Sequence, residues 1–120
     1  MKEVYRISKH GAEILINVPH PRHDNFLGDP TQVRPVTPAV LGLFDKELND
    51  CHISKGESNT PLAHFLGVDF KITAIETIVD EPYRTQLAEG KISWEEFERI
   101  SNELNNVISD YRLKLKVLKP

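Results

Sequence analysis

The stretch from Ser93 to Val117 reads SWEEFERISNELNNVISDYRLKLKV, and its hydrophobic period changes partway along. In the first part apolar residues recur every three or four positions, which is typical of one face of an α-helix, and Ser93 with Glu96 has the spacing of a capping box. In the last six residues apolar and basic side chains alternate, which indicates a strand with one apolar and one basic face. The sequence therefore predicts a helix over residues 94–110 followed by a strand over 112–117.

Three further segments are rich in β-branched or aromatic residues and predict strands, over residues 3–8, 13–18 and 70–79. Gly11 lies in the polar stretch between the first two segments, so we expect them to form an N-terminal hairpin. Residues 70–79 fit a helical stripe almost as well as strict alternation, and a helix there is the alternative.

Helix start signals occur twice, as Thr37-Pro38 and Thr60-Pro61, since threonine suits the N-cap and proline the first turn. They predict one helix that ends near Asp50 and another that ends before Gly67. A further short helix is predicted over residues 82–89. The expected fold class is α+β, in which an antiparallel sheet of three to four strands (the N-terminal hairpin plus the C-terminal strand) is covered on one face by three to four helices.

Length and composition fit a single domain over residues 1–120, with 39% hydrophobic and 28% charged residues. The one cysteine excludes an intramolecular disulfide framework. No apolar run is long enough for a membrane span and the N-terminus has no signal-peptide core, so we expect a cytoplasmic protein. Residues 19–36 contain four prolines and no periodicity, which predicts a long irregular loop, and loops of this length are often functional.

Acidic residues are concentrated in the middle of the chain, where residues 41–110 carry fourteen acids and six bases. This distribution argues against nucleic acid as a ligand, because nucleic-acid-binding domains depend on a basic surface. It favours a basic protein partner, whose association a negative surface would accelerate. The acidic residues expected at such an interface are Asp45, Glu47, Asp50, Glu76, Asp80, Glu81, Glu95 and Glu98.

The long loop contains the run His20-Pro21-Arg22-His23-Asp24. Two imidazoles and a carboxylate can bind a divalent metal or provide acid–base groups near neutral pH. However, a His-x-x-His spacing is common by chance, and no second Cys/His pair completes a zinc site. We therefore interpret His20, Arg22, His23 and Asp24 first as partner contacts in an exposed loop, and we expect no metal and no cofactor.

The sequence contains no nucleophile-elbow motif, no glycine-rich phosphate loop and no helical zinc-protease motif, so we expect a binding protein rather than an enzyme. In size, acidity and lack of such motifs the chain is similar to bacterial immunity proteins. That resemblance implies an immunity or antitoxin-type inhibitor that occludes a basic toxin or nuclease. Two alternatives stay open: a small metal-dependent or acid–base hydrolase that uses His20, His23 and Asp24, and a regulatory subunit of a larger assembly.

Overall fold

A computed structural model describes residues 1–120 and contains one sheet of three antiparallel strands. Strand β1 spans Glu13–Pro19, β2 spans Phe70–Val79 and β3 spans Ile108–Val117. The strand order is β1-β3-β2, so the C-terminal strand lies in the centre. The predicted α+β class is confirmed, and residues 70–79 form a strand rather than the alternative helix.

Seven helices accompany the sheet, and most of them have only one or two turns. They are α1 (Lys2–Ile7), α2 (Asp24–Leu27), α3 (Pro38–Gly42), α4 (Lys46–Ser54), α5 (Leu62–Leu66), α6 (Tyr83–Ala88) and α7 (Trp94–Glu103). Their number exceeds the predicted three to four because the sequence gives little signal for single-turn helices.

The chain forms two compact units, and each strand contributes residues to both. The first unit comprises Met1–Ile16, Thr37–Ile75 and Leu113–Pro120, and the second comprises Asn17–Val36 and Glu76–Arg112.

The core of the first unit is built on the apolar side of β3. Leu113, Leu115 and Val117 are buried, whereas Lys114 and Lys116 between them are half-buried and exposed. This is the alternation expected of a strand with one solvated face. The other buried apolar side chains of the unit are Leu41, Ala63, Val68 and Phe70.

A buried amide connects three of the short helices in the first unit. The side chain of Asn49, in α4, is 2% exposed. Its Nδ2 donates to the carbonyl of Leu43 at 3.0 Å, and its Oδ1 accepts from the N–H of Ala63 at 3.1 Å. Because both ends of the amide are paired, its burial fixes how α4 packs between the end of α3 and the start of α5.

The N-terminal segment differs from the prediction, because residues 2–7 form α1 and not the first strand of a hairpin. From the helix, the Tyr5 ring meets the Phe70 ring edge-on, with centroids 5.5 Å apart. The Tyr5 hydroxyl also donates to the carbonyl of Leu118 at 2.7 Å. These tertiary contacts outweigh the β propensity of the segment, which is always sensitive to context.

A bulge begins the pairing of β1 with β3. The N–H of Gly11 donates to the carbonyl of Val117 at 2.7 Å, and the N–H of Val117 donates to the carbonyl of Ala12 at 2.9 Å. Two residues therefore oppose one, and Gly11 has the positive φ of 79° that this arrangement requires. The glycine that was expected to turn a hairpin instead directs β1 onto the central strand.

Two predicted helices are shorter than their hydrophobic stripes. The helix expected over residues 38–50 is divided into α3 and α4, because Asp45 leaves the helical conformation and its carboxylate accepts from the N–H of Leu48 at 3.2 Å. The helix expected over 94–110 ends at Glu103, and Asn106 then adopts a left-handed φ of 60° before β3 begins. Asparagine tolerates that conformation better than most residues.

We expect Leu115→Ala to lower the free energy of unfolding by about 2–5 kcal/mol, the usual cost of truncating a buried leucine. Lys116→Ala, at the exposed neighbouring position, is the matched control and should change that free energy by less than about 0.5 kcal/mol. Urea denaturation followed by circular dichroism measures both variants. An equal loss of unfolding free energy in the two variants would show that the apolar side of β3 does not form the core.

Candidate functional site

The His20–Asp24 run lies in the second unit and is folded inward. His20 and His23 are each only 7% exposed, so the prediction of an exposed loop with solvent-facing histidines is wrong for these two side chains. Arg22 and Asp24 are exposed. His23 is the N-cap of α2 and Asp24 is the first residue of that helix, whereas His20, Pro21 and Arg22 precede the helix.

Both imidazoles serve as acceptors for backbone N–H groups two residues further along the chain. His20 Nδ1 accepts from the N–H of Arg22 at 3.1 Å, and His23 Nδ1 accepts from the N–H of Asn25 at 3.0 Å. An imidazole nitrogen can accept only when it carries no proton. The network therefore assigns the neutral form to both rings, with the proton on Nε2.

The second ring nitrogen of His23 is also engaged. Its Nε2 lies 2.6 Å from Oδ2 of Asp80, which immediately follows β2, and it donates to that carboxylate. The other oxygen of Asp80 accepts from the N–H of Glu81 at 2.8 Å. Asp80 is thus a positioning group for the His23 ring, and it arises 57 residues away in the sequence.

Arg22 and Asp24 tie the same segment to the end of α7. The two terminal nitrogens of Arg22 donate to the carbonyls of Ser101 and Asn102, at 2.7 and 2.8 Å. Carbonyls in the last turn of a helix have no partner within the helix, so this guanidinium acts as a C-terminal cap. Asp24 donates its backbone N–H to Oδ1 of Asn106 at 2.9 Å and accepts from Nδ2 of the same residue at 3.3 Å.

Burial and neighbouring charge shift the titration of this cluster. Burial lowers the pKa of His20, and the positive charge of Arg22 lowers it further. The hydrogen bond from His23 lowers the pKa of Asp80, with help from the N–H of Glu81. Burial raises the pKa of Tyr111, whose ring lies 5.0 Å from that of His20, centroid to centroid.

The geometry gives no support to a hydrolase or metal site built on His20, His23 and Asp24. A metal ligand or a general base needs a free imidazole lone pair. The Nδ1 lone pair of each histidine already accepts a backbone N–H, and Asp24 is hydrogen-bonded to Asn106. No group of three His, Cys, Asp or Glu side chains within residues 1–120 is arranged to hold a metal ion.

Six of the eight acidic residues expected at a partner interface are already engaged within the chain. Asp45 is only 6% exposed and caps α4, so it lies inside the fold rather than on its surface. Each of the other five acids forms an ion pair within the chain: Glu47 with Lys71 (3.5 Å), Asp50 with His64 (2.7 Å), Glu76 with Arg112 (4.0 Å), Asp80 with His23 (2.6 Å) and Glu81 with Arg84 (3.0 Å).

The remaining two, Glu95 and Glu98, are exposed at the start of α7 and take part in none of the ten ion pairs of the chain. Glu96 is likewise exposed and without an ion pair. Acidic residues in the first turn favour the helix dipole, and Ser93 caps the helix by accepting from the N–H of Glu96 at 3.1 Å. These roles leave all three carboxylates in solvent.

Trp94 lies beside these acids, although the hydrophobic period of the predicted helix over residues 94–110 includes it in the apolar stripe. Trp94 is 69% exposed, and its ring meets that of Phe97 edge-on, at 5.9 Å between centroids. Its position in the first turn, ahead of the buried part of the stripe, is the signal that could have shown its exposure. Trp94 and Glu95 lie four and three positions from Glu98, so both are neighbours of Glu98 on the helix surface. We call Trp94, Glu95 and Glu98 the acidic face of α7.

Charge is divided unequally between the two units. The second unit has eleven acidic and six basic residues and a net charge of −5, whereas the first has seven acidic and nine basic residues and a net charge of +2. The acidic face of α7 therefore belongs to the unit that carries the negative charge of the chain.

No family model matches this sequence, and no curated protein or solved structure is significantly similar to it. Among its helices, none combines the length and the apolar character needed to cross a bilayer.

We expect Asp80→Asn to destabilise the protein at neutral pH and to have progressively less effect in acid. Because the folded state lowers the pKa of Asp80, its stabilising contribution is present above the ordinary aspartate value of 3.8 and is lost as the pH falls through the folded-state value. Urea midpoints of the wild type and the variant, measured from pH 7 to pH 3, should therefore converge at the acidic end. A difference between the two urea midpoints that stays constant across this pH range would contradict the conclusion that ionised Asp80 stabilises the folded state.

Proposed function

We propose that the protein is a binding module whose acidic face on α7 docks on a basic protein. The most specific version of this proposal is a cytoplasmic immunity or antitoxin-type inhibitor. Such an inhibitor would cover the cationic surface of a bacterial toxin or nuclease. The observation that carries the proposal is the combination, on one side of α7, of the exposed Trp94 with two carboxylates, Glu95 and Glu98, that have no ion pair.

Unpaired carboxylates are the better candidates for contact, because they have no internal ion pair to give up. A partner lysine or arginine that approaches Glu47 or Asp50 has to compete with Lys71 or His64. Glu95 and Glu98 offer their charge without that competition, and charge-assisted hydrogen bonds to arginine are the stronger kind. The same residues, three apart on a helix, are neighbours on its surface.

The exposed indole provides the apolar centre that a charged surface needs in order to bind tightly. Tryptophan and arginine are the residues most often found at the energetic centre of protein interfaces. An indole can also receive a partner cation on its ring face, an attraction of about 0.5–2 kcal/mol. Trp94 with the carboxylates around it thus matches a basic surface in both of these respects.

The net charge of −5 in the second unit supports the same partner class. A negative region of this kind raises the rate of association with a cationic protein, and the effect falls as salt screens it. His20, Arg22, His23 and Asp24 were also expected to touch the partner. Arg22 caps the end of α7 and Asp24 bonds Asn106, while His20 and His23 are buried, so we assign the partner contact to the acidic face of α7.

The proposal is tested with a charge-reversed double variant and a matched control. Glu95→Lys with Glu98→Lys should weaken binding to the basic partner by at least about tenfold, equivalent to 1.4 kcal/mol. Glu3→Lys with Glu57→Lys changes the net charge equally, at exposed positions of the first unit, and should have a much smaller effect. Partners captured from native lysate at low salt are purified, and their Kd is measured for each variant.

Trp94 is the single tryptophan, so its fluorescence reports directly on the proposed interface. We expect its emission to change when the purified partner binds, and we expect a captured toxin or nuclease to lose activity at one-to-one stoichiometry. Partners that bind equally at low and high salt, equal losses in both double variants, or unchanged Trp94 emission would each contradict the proposal.

A further inference from the structure

Residues 20–22 are held in place by a small number of specific hydrogen bonds. The N–H of His20 donates to the carbonyl of Ser109 at 2.8 Å, and its Nδ1 accepts from the N–H of Arg22. The carbonyl of Arg22 accepts from the N–H of Asn106 at 3.0 Å, and its guanidinium caps α7. The position of Arg22 at the end of α7 therefore depends on a local turn that His20 closes.

A proton on Nδ1 of His20 would break this turn. The imidazolium ion has no acceptor, so the bond from the N–H of Arg22 would be lost and two N–H donors would face each other. The ring is 7% exposed, so water can solvate its charge only poorly unless the segment moves outward.

The groups around His20 offer no compensating negative charge. From its own segment it meets the Arg22 cation and the His23 ring, and from β3 it meets the ring of Tyr111. The hydroxyl of Tyr111 stays protonated near neutral pH, because burial raises its pKa. The carboxylate of Asp80 is paired with His23, and none of the ten ion pairs of the chain includes His20.

We propose that residues 20–22 form an acid-sensitive latch on α7. Protonation of His20 opens the turn, moves the imidazolium into solvent and releases Arg22 from the carbonyls of Ser101 and Asn102, so that the last turn of α7 loses its cap. The latch depends only on these contacts, and it does not rest on the function proposed above.

The direction of the pH dependence follows from the two states of the ring. In the open latch His20 is solvated and has the ordinary pKa of 6.5, whereas in the closed latch the pKa is lowered. Acid therefore favours the open state. The opening equilibrium should rise by up to about tenfold for each pH unit below 6.5, until the closed-state value is reached.

Amide hydrogen exchange, corrected for the intrinsic rate at each pH, measures the latch directly. In the wild type we expect the protection of the Arg22 and Asn106 amides to fall by up to about tenfold per pH unit between pH 6.5 and pH 5. The amide of Val117, bonded to Ala12 in the first unit, should keep its protection over the same range and serves as the internal control.

His20→Asn separates titration from packing. An asparagine oxygen can accept from the N–H two residues along, as in an Asx turn, but it does not titrate. In this variant the protection of the Arg22 and Asn106 amides should no longer depend on pH. The proposal would be overturned if the variant lost amide protection with falling pH as the wild type does. It would also be overturned if the wild type showed no such loss.

A second measurement keeps the test valid if the variant does not fold. The ring of His20 in the wild type, followed by NMR, should titrate below pH 6.5, and its titration should coincide with the loss of the Arg22 amide signal. A midpoint at or above 6.5, or titration that leaves the Arg22 amide unchanged, would exclude the latch.

Discussion

The central position of β3 is the constraint on which the rest of the structure depends. Both other strands pair with it and neither pairs with the other, so the sheet exists only if β3 keeps its register and its apolar side stays inward. The side chains of Leu113, Leu115 and Val117 provide the burial, while the lysines between them keep the opposite side in water. A register slip of one residue would exchange the two sets and bury the lysine charges, which makes the pairing strongly specified.

The sequence predicts correctly those parts of the fold in which the local hydrophobic pattern agrees with the burial of the same residues in the folded chain. The strands over residues 13–18, 70–79 and 112–117 were found because their composition and alternation match what the sheet requires. The prediction of a strand over residues 3–8 is wrong because the decisive interactions, from Tyr5 to Phe70 and to Leu118, join residues far apart in the chain. Helix ends were misplaced for a similar reason, since the hydrophobic stripe continues to Val107 although the helix ends at Glu103.

The candidate site could be located from sequence, but the roles of its residues could not. The run from His20 to Asp24 is conspicuous, yet its burial depends on Asp80 and on the end of α7, which no local pattern connects to it. The same limit applies to the acidic residues. Whether a carboxylate is free or paired is decided by a partner such as His64 for Asp50, fourteen residues away, and only the folded chain separates Glu95 and Glu98 from the rest.

The buried histidine cluster and the acidic face act on the same helix, and this connects them physically. Helix α7 has ten residues, a length at which an isolated helix is marginal in water, so its stability comes from packing of Phe97 and from its caps. Ser93 satisfies the first turn, where the acidic face lies, and Arg22 satisfies the last. A change at His20 can therefore lower the stability of α7, and with it the order of the exposed carboxylates, although His20 contacts none of them. Loss of one cap frays a short helix from that end.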